Sequence, residues 1–483
     1  MVIKLLNTKG SDNEDGSQRP LPSPRLTRRA ALAGGLGITA LIAVPNVLAG
    51  SAAYAEQAPG TGRLPGASLP VSHFYLYGTT GPTTRSGVEQ RGAAATGASA
   101  GAPRSLLTGL DLAPVKSPDG TALALVATSP AGSARTVTLT LVDTASGTAS
   151  STGTLRISDA STEASILTRP VFAGSGTVAL VIAISEPSAP RTLTKILPDG
   201  RETTTTGHTW TTHHAVAYYD RASSGFTGPF PLRLGSAPYL ALTDAAADDT
   251  DLYLWAVQDY SRTRSGKGAA NPSLTTEFFA VPLGSGTPRL TAVSTGPWPS
   301  GAAARILPAT GQVARVLAGR DLEVYSPADG TLRAVALAPM RQVGAAKPGA
   351  VTLEDLPDGN TLITNSALGR ATVVDPAAGF ATVSVIDHPR LPRPVRGAVA
   401  SADGRTLYTL GDREAGGLNA YSLANGKLTA SYSHGESYTG VYLLAGGNLL
   451  TLTPGAQTGL SFFTPQLDRL ATAVTPVLVA AVY

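Results

Sequence analysis

"LEVYSPADGTLRAVAL" (residues 322–337) places a short apolar run on each side of a five-residue polar turn. The layout returns as "ATVVDPAAGFATVSVI" (371–386), "LNAYSLANGKLTASYS" (418–433) and "LSFFTPQLDRLATAVT" (460–475). The turn openers Ser326, Asp375, Ser422 and Thr464 are 49, 47 and 42 residues apart. In the first three copies a glycine follows four places later, at Gly330, Gly379 and Gly426. Asp, Ser and Thr bind backbone N–H groups at a turn start, and glycine accepts the positive φ near its end. Each copy therefore predicts a β-hairpin.

A second marker alternates with the first. "LPDGNTLITN" (356–365) and "SADGRTLYTL" (401–410) join an Asp-Gly turn to an apolar strand, and "LAGGNLLTLT" (444–453) uses Gly446-Gly447 instead. One unit reads strand, Asp-Gly turn, strand, loop, strand, polar turn, strand. Four strands at a period in the forties is the length of one propeller blade. The chain is expected to be all-β, a propeller of four-stranded blades; tandem β-sandwiches are the alternative.

Earlier units are looser. "SPDGTALALVAT" (117–128) leads into "VTLTLVDTASGTAS" (137–150), and "AGSGTVALVIAIS" (173–185) into "RTLTKILPDGRETTTT" (191–206). "DLYLWAVQDY" (251–260) leads into "FFAVPLGSGTPRL" (278–290). Outer hairpins near 143, 197, 283, 326, 375, 422 and 464 predict seven blades. The long interval after the second leaves two readings, an insertion or irregular blade around 200–275, or an eighth blade in "WTTHHAVAYYDRASSGFTGPFPLRLG" (210–235). "SHFYLYG" (72–78) is a candidate strand for closing the ring against the C-terminal strands, which would remove exposed β-edges.

From about residue 110 to 475 these units resemble bacterial propellers with WD-repeat-like or surface-layer-type repeats. The Gly-His and Trp-Asp marks of true WD repeats are absent. The resemblance implies a ring whose sites, if any, lie in the central channel or on the face loops, and many such rings only present a surface.

Composition narrows the classes. Glycine (53) and proline (36) are abundant and charged residues make up 14%, which suits short strands and turns. The net charge of +4 belongs largely to residues 1–55, where Lys4, Lys9, Arg19, Arg25, Arg28 and Arg29 face only Asp12, Glu14 and Asp15. The body is close to neutral and carries no basic run, so nucleic acid is not an expected partner. With no cysteine in the chain, disulfides, thiolate catalysis and cysteine-held metals are excluded.

Residues 1–55 read as an export leader. Arg28-Arg29 precede a weakly apolar run that ends in Ala53-Tyr54-Ala55, a small-x-small cleavage pattern. "TRRAAL" (27–32) resembles the twin-arginine motif, with Ala31 where a large apolar residue is usual. Pro45 and four glycines make the run a poor anchor, so no permanent membrane insertion is expected. Residues 56–70 read as a flexible linker and 71–483 as the propeller. The resemblance implies the twin-arginine export machinery as a partner and an extracellular or cell-envelope location.

"HTWTTHHAVAYYD" (208–220) is the densest polar-aromatic patch. Trp210, His213, His214, Tyr218 and Tyr219 are the ligand-binding candidates, against the plainer reading of a loop or insertion packed on the ring. In a strand His213 and His214 point to opposite faces, which disfavours one shared metal. Asp244, Asp248, Asp249 and Asp251 in "TDAAADDTD" (243–251) form the only local carboxylate cluster; they read as a solvated loop, with calcium as the other reading. The Asp-Gly pairs lack a calcium-loop frame. His73, His388 and His434 are single histidines in different units, and Trp255 and Trp298 read as packing residues. No hydrolase elbow, phosphate loop, zincin pair or dinucleotide fingerprint is present. No catalytic residue, metal ligand or cofactor is assigned. The expected function is binding of a protein or cell-wall glycan; the alternative is a propeller enzyme of lactonase, dehydrogenase or glycosidase type with its site at the channel mouth.

Overall fold

The computed structural model describes residues 72–483 except 81–85, 94–98, 109, 111–112, 132–133, 158–163, 175, 188–190, 197–201, 208–209, 235–239, 259–273, 297–303, 318–320, 337–350, 366–369, 388–397, 411–416, 434, 445, 456 and 476. The leader and linker read from the sequence lie outside the described residues. The fold is an all-β propeller of eight four-stranded blades. Blades 2 to 8 occupy residues 115–157, 165–232, 240–296, 305–336, 351–387, 398–432 and 440–475. Blade 1 is composite: Ser72–Thr80, Ser86–Ala93 and Ser99–Thr108 come from the amino-terminal side, and Val477–Val482 pairs with Ser72–Thr80. "SHFYLYG" thus closes the ring against the last strand.

The count of seven is corrected to eight, and the reason lies in two places. The extra blade is built from 72–108 together with the chain end, and this segment carries neither the Asp-Gly marker nor the polar-turn marker. The hairpin near 197 is no blade edge. Arg191–Ile196 and Glu202–Gly207 form a separate two-stranded sheet between the second and third strands of blade 3. The outer turn of that blade comes later, between Trp210–Asp220 and Gly225–Leu232. The segment considered for an eighth blade therefore supplies the outer half of blade 3.

Burial explains the strand composition. The second strand of blade 3, Thr177–Pro187, is apolar at nearly every position because both its faces meet neighbouring blades. Fourth strands read differently: Ala149–Ile157 alternates between buried and exposed, and Thr331–Ala336 is largely exposed. Large exposed apolar side chains sit on these outer strands, including Leu290, Val293, Val383, Leu428 and Val474. The first strand of each blade is consequently the one nearest the axis.

Eight apolar clusters fill the eight junctions. Tyr75 and Val88 meet Leu123 and Leu125 between blades 1 and 2, and Leu139 and Leu155 meet Val178 and Tyr219 next. Val181 and Tyr218 meet Leu254 and Phe279; Trp255 and Phe278 meet Val313 and Tyr325. Leu322 and Val324 meet Ile363 and Val374; Leu362 and Val373 meet Leu407 and Tyr421. Tyr408 and Leu418 meet Leu449 and Phe463, and Leu450 and Phe462 reach Phe74 and Leu76 to close the circle. Because successive strand residues face opposite sides, one strand feeds two junctions.

The turn chemistry follows the sequence. Gly330, Gly379 and Gly426 have φ of 71°, 69° and 70°. The fourth copy has no glycine there and places Leu467 at φ 71°, a conformation that costs an ordinary residue about 1 kcal/mol.

Candidate functional site

The charged side chains nearest the axis lie on the first strands of blades 3 to 6. Arg169 is central in Ser165–Ala173 and Asp244 in Leu240–Ala247. Arg305 opens the two-residue first strand of blade 5, and Glu354 and Asp355 end Val351–Asp355 in blade 6. The first strands of blades 7, 8 and 1 (Ala398–Ala400, Gly440–Leu443 and Val477–Val482) contain Tyr442 as their only titratable side chain. Exposed Lys116 on the first strand of blade 2 is the other charge there, so among the described residues the carboxylates of the inner wall lie on blades 4 and 6.

Asp244 sits where a β-bulge shifts the pairing of the first and second strands of blade 4. Bulges re-aim side chains, and this one sets Asp244 between three blades. Its side chain is 4% exposed, and its Oδ1 is 3.7 Å from an Arg169 guanidinium nitrogen of blade 3. The backbone N–H of Ala304, just before blade 5, donates to it. Burial raises its pKa to about 6, against the opposing pull of Arg169 and then Arg315. Leu167, Val181, Ala183, Leu242, Ala245 and Leu254 line a small apolar pocket beside this pair.

Behind Asp244 lies a sealed ion pair. Arg315 and Glu323 are direct cross-strand partners in blade 5. Arg315 Nε donates to Glu323 Oε2 at 2.6 Å, and the two side chains are 0% and 2% exposed. The Trp255 indole of blade 4 donates to the same oxygen at 3.1 Å, and the Arg315 guanidinium lies 5.4 Å from the Trp255 ring centre. Trp255 is a packing residue with a polar task.

A more open ion pair joins blades 5 and 6. Arg305 donates to Asp355 Oδ2 and to the Leu353 carbonyl. Glu354 accepts the N–H of Ala400 in blade 7, and burial pushes its pKa and that of Asp355 upward. Asp244 and Glu354 both receive a backbone N–H from the next blade, a group that the edge of an inner strand leaves unpaired.

The five sequence candidates occupy the third strand of blade 3, and the structure parts them. His213 is exposed. His214 is 8% exposed, and burial lowers its pKa to about 4. Tyr218 packs into the junction with blade 4, where its hydroxyl donates to the Ser285 carbonyl at 2.8 Å. Tyr219 is 0% exposed on the other side, packed on Phe226 with ring centres 5.0 Å apart. The Trp210 side chain and His208 lie outside the described residues, as do the side chains of His73, His388 and His434 and the whole of Trp298.

The aspartate cluster separates too. Asp244 belongs to the inner wall, whereas Asp248 closes its own turn, accepting from the N–H groups of Thr250 and Asp251 at 2.7 Å and from the Tyr253 hydroxyl at 2.6 Å. Asp119 and Asp403 likewise accept from Ser117 and Ser401 in their Asp-Gly turns. Among the described residues no group of three or more His, Asp or Glu is placed to hold a metal ion. No described helix is long and apolar enough to cross a membrane.

No family model matches the chain, and no curated protein matches its sequence. Similar solved structures include apo AztD from Citrobacter koseri, at 11% identity over 85% of this chain and 97% of that one, with a TM-score of 0.49. The dihydro-heme d1 dehydrogenase NirN in complex with DHE aligns at 12% identity over 86% and 76%, with a TM-score of 0.48. A eukaryotic initiation factor aligns at 13% identity over 86% and 98%, with a TM-score of 0.40.

Proposed function

We propose that this chain is an exported propeller that binds a protein or a cell-wall glycan through its ring surface. One observation carries the reading. The inner-wall carboxylates, where a propeller enzyme would place its acid and base, each contact a neighbouring blade: Asp244 lies beside Arg169 and accepts from Ala304, Asp355 Oδ2 accepts from Arg305, and Glu354 accepts from Ala400. Catalysis by the lactonase, dehydrogenase or glycosidase route calls for groups free to contact a reacting atom. Binding leaves the wall as it is and uses the faces. Export rests on the Arg28-Arg29 leader and the Ala53-Tyr54-Ala55 end, and puts the ring outside the membrane or in the envelope. Of the five candidates, His213 is the one whose described side chain is exposed, and Trp210 lies three residues away on the same strand.

The test is retention of the purified ring on insoluble peptidoglycan and on a glycan array, with bovine serum albumin as control. The expected result is saturable binding that weakens at least several-fold in a Trp210→Ala, His213→Ala double variant with an unchanged circular-dichroism spectrum. Turnover of lactone, glycoside or quinone-linked alcohol substrates that disappears in Asp244→Asn or Asp355→Asn would replace this reading with the enzymatic one.

A further inference from the structure

Asp244 is buried, with a side chain 4% exposed, and its neighbours are drawn from three blades. Arg169 reaches it from blade 3 and Ala304 from blade 5; Arg315 and Glu323 of blade 5 act on it through space. On the third strand of blade 3, His214 shares a face with Val216 and Tyr218 and so belongs to the same junction; burial keeps it neutral down to about pH 4. The second strand of blade 4 adds Trp255, which is committed to Glu323.

We propose that Asp244 and Arg169 form a proton-operated latch on the inner wall, through which protonation of Asp244 tightens the junction of blades 3, 4 and 5. Three geometric facts point there: the bulge that turns Asp244 inward, its 4% exposure beside an apolar pocket, and an Arg169 contact of 3.7 Å, longer than a closed ion pair. Such a pair returns little of the desolvation that an ionised carboxylate loses on burial. The neutral acid needs no counter-charge there and keeps its acceptor oxygen for Ala304.

The sign follows from linkage. The folded pKa of about 6 lies above the ordinary value of 3.8, so the folded ring holds this proton more tightly than the unfolded chain. The contribution is full below the unfolded pKa and is lost as pH rises through the folded one. His214 acts oppositely, because its folded pKa is lowered, and the two partly cancel in the wild type. The comparison must therefore be made against a variant that differs only at Asp244.

Urea unfolding of the wild type and of Asp244→Asn, followed by circular dichroism from pH 8 to 4.5, makes that comparison. The unfolding constant of the wild type divided by that of the variant is expected to fall by about 30-fold on acidification, mostly between pH 6 and 4.5. Arg169→Gln removes the main counter-charge and is expected to move the upper limb of the wild-type curve to higher pH. A flat ratio overturns the latch. So does an Arg169→Gln curve that coincides with the wild type. Failure of Asp244→Asn to fold at neutral pH overturns it as well, because the uncharged side chain is the state the junction is argued to prefer.

Discussion

Glu323→Gln takes the nearest counter-charge from a guanidinium in the interior of the ring, and the structure sets how much this should cost. Arg315 is 0% exposed, its Nε partner is Glu323 at 2.6 Å, and its other flank is the Trp255 ring. Removing one member of a buried pair leaves a charge that water cannot reach, which typically costs 3–5 kcal/mol. Arg315→Met leaves the carboxylate in the same position and should cost about as much. The double variant Arg315→Met, Glu323→Gln removes both charges, and its glutamine oxygen still accepts the Trp255 indole. It should lie within about 1.5 kcal/mol of the wild type, since an ion pair exchanged for neutral groups of similar volume is often close to neutral. The coupling between the two sites should then exceed about 2 kcal/mol. Urea midpoints with unchanged slopes, read by circular dichroism and tryptophan fluorescence, give all four corners of the cycle. Singles costing below about 1 kcal/mol would show that water reaches Arg315. A double variant as unstable as the sum of its singles would show two independent contributions in place of a pair.

Deleting Val477–Tyr483 removes the strand that pairs with Ser72–Thr80, along with Val477 at 1% exposure and Val482 at 9%. At about 1.5–3 kcal/mol for each buried side chain, together with the lost strand pairing, this approaches the whole stability of many proteins. The shortened chain should open to proteolysis between blades 8 and 1, and unchanged protease resistance would contradict closure by this strand. Tyr219→Phe should stabilise by about 1 kcal/mol, because the buried hydroxyl has no hydrogen-bond partner among the described residues; a lower urea midpoint would mean that it does. Gly153→Val should destabilise by about 2 kcal/mol or more, since even a Cβ there would stand 2.3 Å from Cε2 of Tyr219. A Gly153→Val, Tyr219→Leu variant should recover part of that loss on the same urea curves. His214→Asn should weaken acid lability: the histidine's lowered pKa means stability is full above about 6.5 and declines by up to about 3 kcal/mol as pH falls toward 4. An unaltered acid midpoint in that variant would place the titration elsewhere.

The blades that the sequence shows clearly are those whose turns need special residues. Asp143, Ser326, Asp375 and Ser422 open turns closed by glycines at positive φ, and that demand is written locally. Blade 1 escapes the same reading because its first strand comes from the far end of the chain, so no contiguous unit exists to recognise. The hairpin at 191–207 misleads for the opposite reason: it carries turn chemistry and alternation but pairs only with itself. The inner wall is harder still to read. Arg169 and Asp244 lie in separate blades, and the bulge that brings them together is a shift of register with no fixed residue signature. "TDAAADDTD" made its four aspartates look equivalent, but a strand and a turn divide them. One signal was available: Arg315 interrupts the otherwise apolar strand Val313–Leu317, and Glu323 sits between Leu322 and Val324 on the next, and a charge so placed asks for a partner.

The uneven wall bears on how the ring holds together and on where a ligand would act. Blades 7, 8 and 1 meet through apolar side chains such as Phe463, Leu450 and Phe74. Their ion pairs, Arg91 with Glu89 and Arg469 with Glu436, lie off the first strands of these blades. Blades 3 to 6 add Asp244, Arg305, Glu354 and Asp355, three of them carboxylates whose pKa values are raised by burial. By the same linkage, each such group favours the folded ring as the medium acidifies. The charged arc should consequently tighten while the apolar arc stays as it is. Hydrogen exchange at pH 5 and pH 7.5, corrected for the intrinsic rate, separates the two arcs within one sample. Protection should rise at low pH in the first strands of blades 3 to 6 and hold level in Gly440–Leu443 and Val477–Val482. A uniform change around the ring would mean that acid acts through overall charge, and the inner-wall carboxylates would lose their assigned part.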